Sequence, residues 1–376
     1  MILKNENKFK ENKTNDKENI HIVGFGWACV GFLQNINTEK YNIYVISNNS
    51  QFSYTPLLAQ NIKQNKKLVF SLTEINNRAI LHKTEVDIIN FNEKNIVTQK
   101  NETIPYHHLI LSHGSTVNTF NISGVDKNTF FIKTYEDSQL IKRKLLSLNE
   151  NAKIVVIGCG LTGSEIIGSL IDLNKFKITA IDALPFPLPT FDPTISNKVI
   201  QLWKKNNVDM RFNKCVSKIT DKSVEFKEED ENVPYDLAIW CAGIKPTILT
   251  AKINTILKLN CNKGIPVNKY LQVENAEDVY AMGDCAFTGL PTTAQVAYQQ
   301  GKYLANQFNH KLTNPNIKTN TIIKTNEFVF ENKGQFCYIG KNKSVFQNKY
   351  LKSGGNIAYY LNNVLHSYYL YGLYKK

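Results

Sequence analysis

Two glycine-rich turns, each closing an apolar run, constrain this chain more than any other feature. The first is Ile22-Val23-Gly24-Phe25-Gly26-Trp27-Ala28-Cys29, and the second is Val155-Val156-Ile157-Gly158-Cys159-Gly160-Leu161-Thr162-Gly163. Glycine lets the backbone turn sharply and approach a pyrophosphate, whose charge then sits at the start of the following helix. One such turn is common. A pair, with Ala281-Met282-Gly283-Asp284 downstream, describes a protein that grips two dinucleotides and can pass electrons from one to the other.

Around each turn the pattern reads strand, turn, helix, strand. Ile20 to Val23 leads into the first turn, a helix runs through Leu33, and Tyr41 to Ile46 follows as the second strand. Lys153 to Ile157, a helix from near Thr162 and Lys177 to Ile181 repeat that grammar. It predicts an α/β chain with two Rossmann-like dinucleotide-binding domains. Asp182, closing the last of these strands, can accept hydrogen bonds from ribose hydroxyls and would repel a ribose phosphate, which favours NADH over NADPH. Leu109 to Gly114 and Asp278 to Asp284 each read as a strand returning to the first domain and ending on a glycine turn. The expected organisation is an arm over 1–19, a first domain over 20–145 and 266–310, a second domain inserted over 146–265, and a C-terminal element over 311–376. A chain of 376 residues is long enough for such a division.

Composition narrows the partners. The chain is 42% hydrophobic and 20% charged, as globular proteins are, and carries a formal net charge of +13. Its basic residues are nearly all lysine, with arginine only at Arg78, Arg143 and Arg211, a bias of AT-rich coding. That charge can draw the protein to an anionic membrane surface, where a nearby lysine is worth roughly 1 kcal/mol. No basic cluster is interleaved with a nucleic-acid recognition motif, so no nucleic-acid partner is expected. Seven cysteines are scattered without a CxxC pair, which indicates neither a dithiol centre nor a metal site and suits a reducing compartment. Residues 1–19 lack the apolar core of a signal peptide. No run of 18 apolar residues occurs, so no transmembrane helix is expected.

More particular stretches join the glycine turns. They are Phe52-Ser53-Tyr54-Thr55-Pro56-Leu57-Leu58, Asn118-Thr119-Phe120 with Gly124-Val125, Phe130-Phe131-Ile132-Lys133, Ala281-Met282-Gly283-Asp284-Cys285-Ala286 and Thr293-Ala294-Gln295-Val296-Ala297-Tyr298-Gln299-Gln300-Gly301. With these the chain resembles the type II NADH dehydrogenases, single-subunit flavoproteins that transfer electrons from NADH to quinone. The resemblance runs from about residue 20 to 345. It implies FAD in the first site, with Gly24, Gly26, Trp27 and Gly114 around it, Thr55 and Pro56 beside the isoalloxazine, and Gly283 and Asp284 along the ribityl and pyrophosphate. NADH, as substrate, would use Gly158, Gly160, Gly163 and Asp182, with Ala242 and Gly243 lining the strand edge. Glu165 would orient the nicotinamide, and Ala294, Gln295 and Gln299 would floor a quinone site.

The resemblance also has gaps. Cys29 stands where the third glycine of the first turn belongs, and Asn49 where the family carries arginine. Ile357 to Lys376 occupies the place of paired C-terminal amphipathic helices and holds tyrosines at 359, 360, 368, 369, 371 and 374. Such a segment suits a helix lying on a membrane that faces a reducing compartment, mitochondrial or cytoplasmic, and equally a contact with the protein's own core or a homodimer. His113 is expected as a core histidine. No side-chain nucleophile is required, because a flavin carries this chemistry and the protein supplies binding, orientation and electrostatics. Two other readings stay open at this point: a soluble NADH-dependent flavoprotein reductase with another acceptor, and a flavin- or NAD-binding regulator without turnover.

Overall fold

The computed structural model describes residues 17–227, 230–311 and 326–374. Most of the expected arm, residues 1–16, and the terminal lysines Lys375 and Lys376 lie outside the described residues. Strand Glu18–Val23, helix Trp27–Leu33 and strand Tyr41–Ile46 form around the first glycine turn. They belong to a five-stranded parallel sheet whose order is Val279–Ala281, His108–Leu111, Glu18–Val23, Tyr41–Ile46, Ile80–His82. Both returning strands therefore take their expected places. Ile20, Ile22, Val23 and the run Leu109 to Leu111 are all buried, the continuous apolar pattern of a parallel sheet enclosed on two sides.

The second unit repeats this plan. Lys153–Ile157 lies between Lys177–Asp182 and Leu237–Trp240, with Asp209–Phe212 outside, all parallel. Each unit also carries a three-stranded antiparallel meander just before the strand that flanks its first one. Val86–Asn90, Asn95–Thr98 and Thr103–Pro105 precede His108–Leu111. Val216–Ile219, Ser223–Phe226 and Asn232–Pro234 precede Leu237–Trp240. The duplication thus extends well beyond the glycine turns.

The chain changes units earlier than the expected boundaries at 145 and 265. Ser123 already bridges Lys218, and Phe130 bridges Ile239 at the edge of the second sheet. Ile141 and Leu145, on helix Tyr135–Ser147, pack with Ile154 and Ile167 of the second unit. On the way back, Ile253 and Leu257 pack with Leu109 and Val279 of the first. Apolar helix faces go where they bury most area, not where the next glycine turn begins.

The C-terminal element was legible only in part. A three-stranded antiparallel sheet, Gln335–Gly340, Lys343–Gln347 and Lys352–Gly355, precedes a single helix, Asn356–Tyr374. The sheet inserts Cys337, Ile339 and Val345 into the second unit's core, and the helix inserts Leu373 into the first unit's core. It straps the two units together.

Candidate functional site

The two glycine turns are built alike. Gly24 and Gly158 have φ of +103° and +92°, and a Cβ would stand 2.4 Å from the Ser112 carbonyl oxygen and 2.6 Å from the Ala242 nitrogen respectively. Each turn is therefore pressed onto the chain leaving the neighbouring strand, a place only glycine fits. Those neighbours lead into Gly114 and Gly243. Gly26 and Gly160 instead face open space, for a Cβ there would meet nothing within 4 Å. They head helices Trp27–Leu33 and Leu161–Leu173 with no side-chain cap. By contrast, Thr134, Asp192 and Thr247 cap the helices they precede. Uncapped N–H groups opening onto free space fit a pyrophosphate, so the residues present suit a dinucleotide in each turn.

The third position differs between them. A Cβ on Gly163 would lie 1.8 Å from the Gly158 carbonyl oxygen, whereas Cys29 holds that place in the first turn and is fully buried. Close approach has moved one helix away. Helix Trp27–Leu33 crosses helix Ala294–Lys311 where a Cβ on Gly301 would stand 2.0 Å from the Ala28 carbonyl oxygen.

In the first unit the expected residues converge. Trp27 Nε1 donates to Thr55 Oγ1 at 2.9 Å, and Pro56 follows in the short turn Thr55–Leu57. Ser115, next after Gly114, donates to Asp284 Oδ2 at 2.8 Å. The Gly283 N–H donates to the buried Gln300 at 2.6 Å. Contacts from Gly24 to the Ser112–Gly114 turn, and from there to Asp284, thus close one continuous site. His113 lies against Gly24; its Nε2 pairs with Thr250 Oγ1 at 2.9 Å, and burial lowers its pKa to about 4, so it is a neutral histidine.

In the second unit Asp182 accepts the Cys159 N–H at 2.6 Å and the Leu184 N–H at 2.8 Å. Its carboxylate is held at the rim of the second turn. Glu165 accepts the Tyr338 N–H at 3.4 Å, and desolvation raises its carboxyl to about 8. It is therefore a neutral acid at pH 7.

Gln295 and Gln299 do not present free carboxamides. Gln295 donates to the Gly334 carbonyl at 3.1 Å and accepts the Lys333 N–H at 2.8 Å. Gln299 donates to the Glu331 carbonyl at 2.9 Å and accepts the Glu331 N–H at 3.0 Å. Both side chains clasp the segment that runs on to Tyr338, whose N–H meets Glu165. The stretch 331–338 is thus the shared partner of all three residues, with Ala294 opening the helix that carries the glutamines.

A ribbon joins the two sites. Ser115–Val117 pairs antiparallel with Ile244–Pro246, and the Asn118 N–H donates to the Gly243 carbonyl at 3.1 Å. The strands that leave Gly114 and Gly243 are therefore fastened to one another, which brings the rims of both glycine-turn sites together.

Two groups escaped the sequence reading. Lys63 pairs with Asp172 and donates to the Tyr338 hydroxyl at 3.0 Å, while that hydroxyl donates to Asp172. This buried cluster joins the first unit, the second glycine-turn helix and the C-terminal sheet, and no local motif announces it. Lys133, whose ammonium meets Ser115, did stand in a recognisable stretch, Phe130 to Lys133, but without an assigned role.

Comparison with known proteins agrees with this geometry. A probable mitochondrial NADH-ubiquinone oxidoreductase of Schizosaccharomyces pombe is 26% identical over 95% of this chain and 80% of its own length. External NADH-ubiquinone oxidoreductase 2 of Saccharomyces cerevisiae is 27% identical over 88% of this chain and 72% of its own length. The solved structure of NDH2 from Plasmodium falciparum in complex with NADH superposes with a TM-score of 0.82 at 24% identity, covering 93% of this chain and 94% of that one, a likeness of fold. The family model for pyridine nucleotide-disulphide oxidoreductases matches residues 18–301, three quarters of the molecule. With its paired glycine turns and their interlocked rims, the chain belongs to the pyridine nucleotide-disulphide oxidoreductase family.

Proposed function

We propose that this protein is a type II NADH dehydrogenase, which oxidises NADH through FAD and reduces a quinone by two electrons without pumping protons. The observation that carries the reading is the ribbon Ser115–Val117 with Ile244–Pro246, which ties the rims of two dinucleotide cradles together. The names of relatives such as the probable NADH-ubiquinone oxidoreductase of Schizosaccharomyces pombe, the probable NADH dehydrogenase of Dictyostelium discoideum and the external NADH-ubiquinone oxidoreductase 2 of Saccharomyces cerevisiae point the same way.

Bound FAD would supply the hydride and electron chemistry. The protein's share is binding and orientation. Gly24 and Gly26 would hold the FAD pyrophosphate, Asp284 its ribityl end, and Trp27 would fix Thr55 and Pro56 beside the ring. Gly158, Gly160 and Gly163 would hold the NADH pyrophosphate, with Asp182 selecting an unphosphorylated ribose and Ala242–Gly243 lining its strand edge. Glu165, neutral and desolvated, would meet the nicotinamide as a hydrogen-bond donor. Gln295 and Gln299 would shape the quinone side by fixing the segment at 331–334. The nicotinamide must reach a near-attack distance of roughly 3 to 3.5 Å from the acceptor ring.

The same reading includes contact with an anionic membrane surface. Ile357, Tyr360, Leu361, Val364, Leu365, Tyr368 and Tyr371 are exposed at helical spacing along Asn356–Tyr374, while Ala358, Asn362 and Leu373 face inward. That helix contains no charged residue, and exposed Lys349 and Lys352 precede it. Apolar and tyrosine side chains next to lysines match a helix lying in the headgroup region. Among the described residues no helix is long and apolar enough to cross a membrane.

One experiment tests the reaction. The purified protein should show a flavin absorption band, bleach on anaerobic addition of NADH, and recover with a soluble ubiquinone analogue. A colourless protein would support the regulator, and bleaching without recovery would point to a different acceptor. Flotation with anionic vesicles, compared for the wild type and Leu361→Glu, tests the membrane contact. Equal flotation of both, or a dimer that the substitution dissociates, would reassign the stripe.

A further inference from the structure

Lys133 closes the Phe130 to Lys133 stretch and carries its charge to the first site. Its ammonium donates to the Ser115 carbonyl oxygen and to Ser115 Oγ, both at 2.9 Å. Ser115 Oγ in turn donates to Asp284 at 2.8 Å. Two residues on, the Tyr135 N–H donates to Ser53 Oγ at 3.2 Å, which fastens this stretch to the strand leading into Thr55 and Pro56. Lys133 thus contacts Ser115 directly and is linked through Ser115 to Asp284 and through the backbone at Tyr135 to Ser53, three segments that bear on the proposed FAD site.

An ammonium has three hydrogens to donate. Two go to Ser115, and no described residue accepts the third. Burial lowers the lysine's pKa, and the Asp284 and Asp137 carboxylates oppose that shift. A partly buried cation with a donor to spare, held at the side of a carboxylate expected to bind a cofactor, is placed to complete its hydrogen bonding on that cofactor.

We propose that Lys133 is an FAD-binding residue: held by Ser115 beside Asp284, it donates its remaining hydrogen to the cofactor and raises the flavin's reduction potential. This rests on the first site holding FAD. A fixed positive charge favours the reduced flavin, which gains negative charge, over the neutral oxidised form. Ser115 positions the ammonium, and Asp284 balances its charge.

The test compares the purified holoenzyme with Lys133→Met, Lys133→Arg and Ser115→Ala. FAD retention is read from absorbance after dialysis, and the midpoint potential from dye-coupled reductive titration. Lys133→Met should bind FAD roughly tenfold or more weakly, as the loss of one charged hydrogen bond implies, and its midpoint should move to a more negative value. Lys133→Arg should keep both properties near wild type, and Ser115→Ala should shift the midpoint in the same direction as Lys133→Met by a smaller amount. A wild-type potential in Lys133→Met, or equal losses in the Met and Arg variants, would overturn the inference. If Lys133→Met does not fold, an unshifted potential in Ser115→Ala overturns it. A flavin-free wild type would sink the proposed function itself, a distinct outcome.

Discussion

At the residue scale, two glycines at different positions of the matching turns make opposite demands. Gly24 has neither the conformation nor the space for a side chain, since a Cβ would collide with the Ser112 and His113 backbone. Gly24→Ala should cost at least roughly 1–3 kcal/mol of stability through strain. Gly160 is different. Its φ of −68° suits any residue and a Cβ there meets nothing within 4 Å, so Gly160→Ala should unfold within about 0.5 kcal/mol of wild type. Its methyl would nevertheless stand where a pyrophosphate must approach, and a clash worth roughly 1–3 kcal/mol raises the KM for NADH tenfold or more. Thermal melts alongside steady-state kinetics check this; an unchanged KM would move the nucleotide elsewhere. Glu165 makes a prediction of its own. Its carboxyl is raised from 4.5 to about 8, so the folded protein keeps a proton that the unfolded chain releases above pH 4.5. Stability contributed by the neutral acid therefore falls as pH rises from 4.5 to 8, and Glu165→Gln should flatten that limb in denaturant titrations.

At the element scale, the C-terminal strap carries the least sequence signal and much of the joining. Strand Gln335–Gly340 runs along helix Leu161–Leu173 so closely that a Cβ on Gly168 would stand 2.6 Å from the Ile339 carbonyl carbon. Asp172, near the end of that helix, receives Lys63, the Tyr338 hydroxyl and the Lys341 N–H. The Lys63 and Asp172 side chains are only 13% and 17% exposed, so removing one partner strands the other away from water. Asp172→Ala should cost roughly 3–5 kcal/mol, while a double substitution of Lys63 and Asp172 to apolar residues of similar volume should recover a large part of it. A double-mutant cycle by chemical denaturation decides; additive losses would mean the pair acts independently. None of this was readable beforehand, because Lys63, Asp172 and Tyr338 are distant in sequence and sit in no periodic pattern. The glycine-turn units were readable for the contrary reason: strand, turn and helix are adjacent in the chain, and local sterics alone determine them. Trp27 with Thr55 falls between these cases, since a motif named both residues but only packing made them partners.

At the scale of the whole molecule, duplication explains both what the sequence revealed and where it misled. Two units with the same parallel sheet and the same meander could be counted from two glycine turns, yet their boundaries could not, because Ile141, Leu145, Ile253 and Leu257 pack across them. The same burial leaves histidines inside the fold without charge. Desolvation lowers His21 to about 3, helped by His82 and His107, and His113 to about 4; His366, against the Tyr54 hydroxyl and near Lys66, is lowered by burial and then by that lysine to about 4. Each has an ordinary value of 6.5. As pH falls below 6.5 the unfolded chain takes up protons at all three while the folded protein refuses them, so stability drops until about pH 4. Between 4.5 and 6.5 Glu165 works the other way, but it is one group against these three and against His82, which burial also lowers. Above 6.5 the histidines are neutral in both states and the Glu165 slope takes over, downward to pH 8. The stability maximum should therefore lie close to pH 6.5, with the acid side the steeper. His21→Phe, which keeps a flat ring against Tyr44 at 4.8 Å, should soften the acid limb without moving the alkaline one. Urea midpoints measured from about pH 4 to pH 9 would refute the balance if stability rose steadily below pH 6.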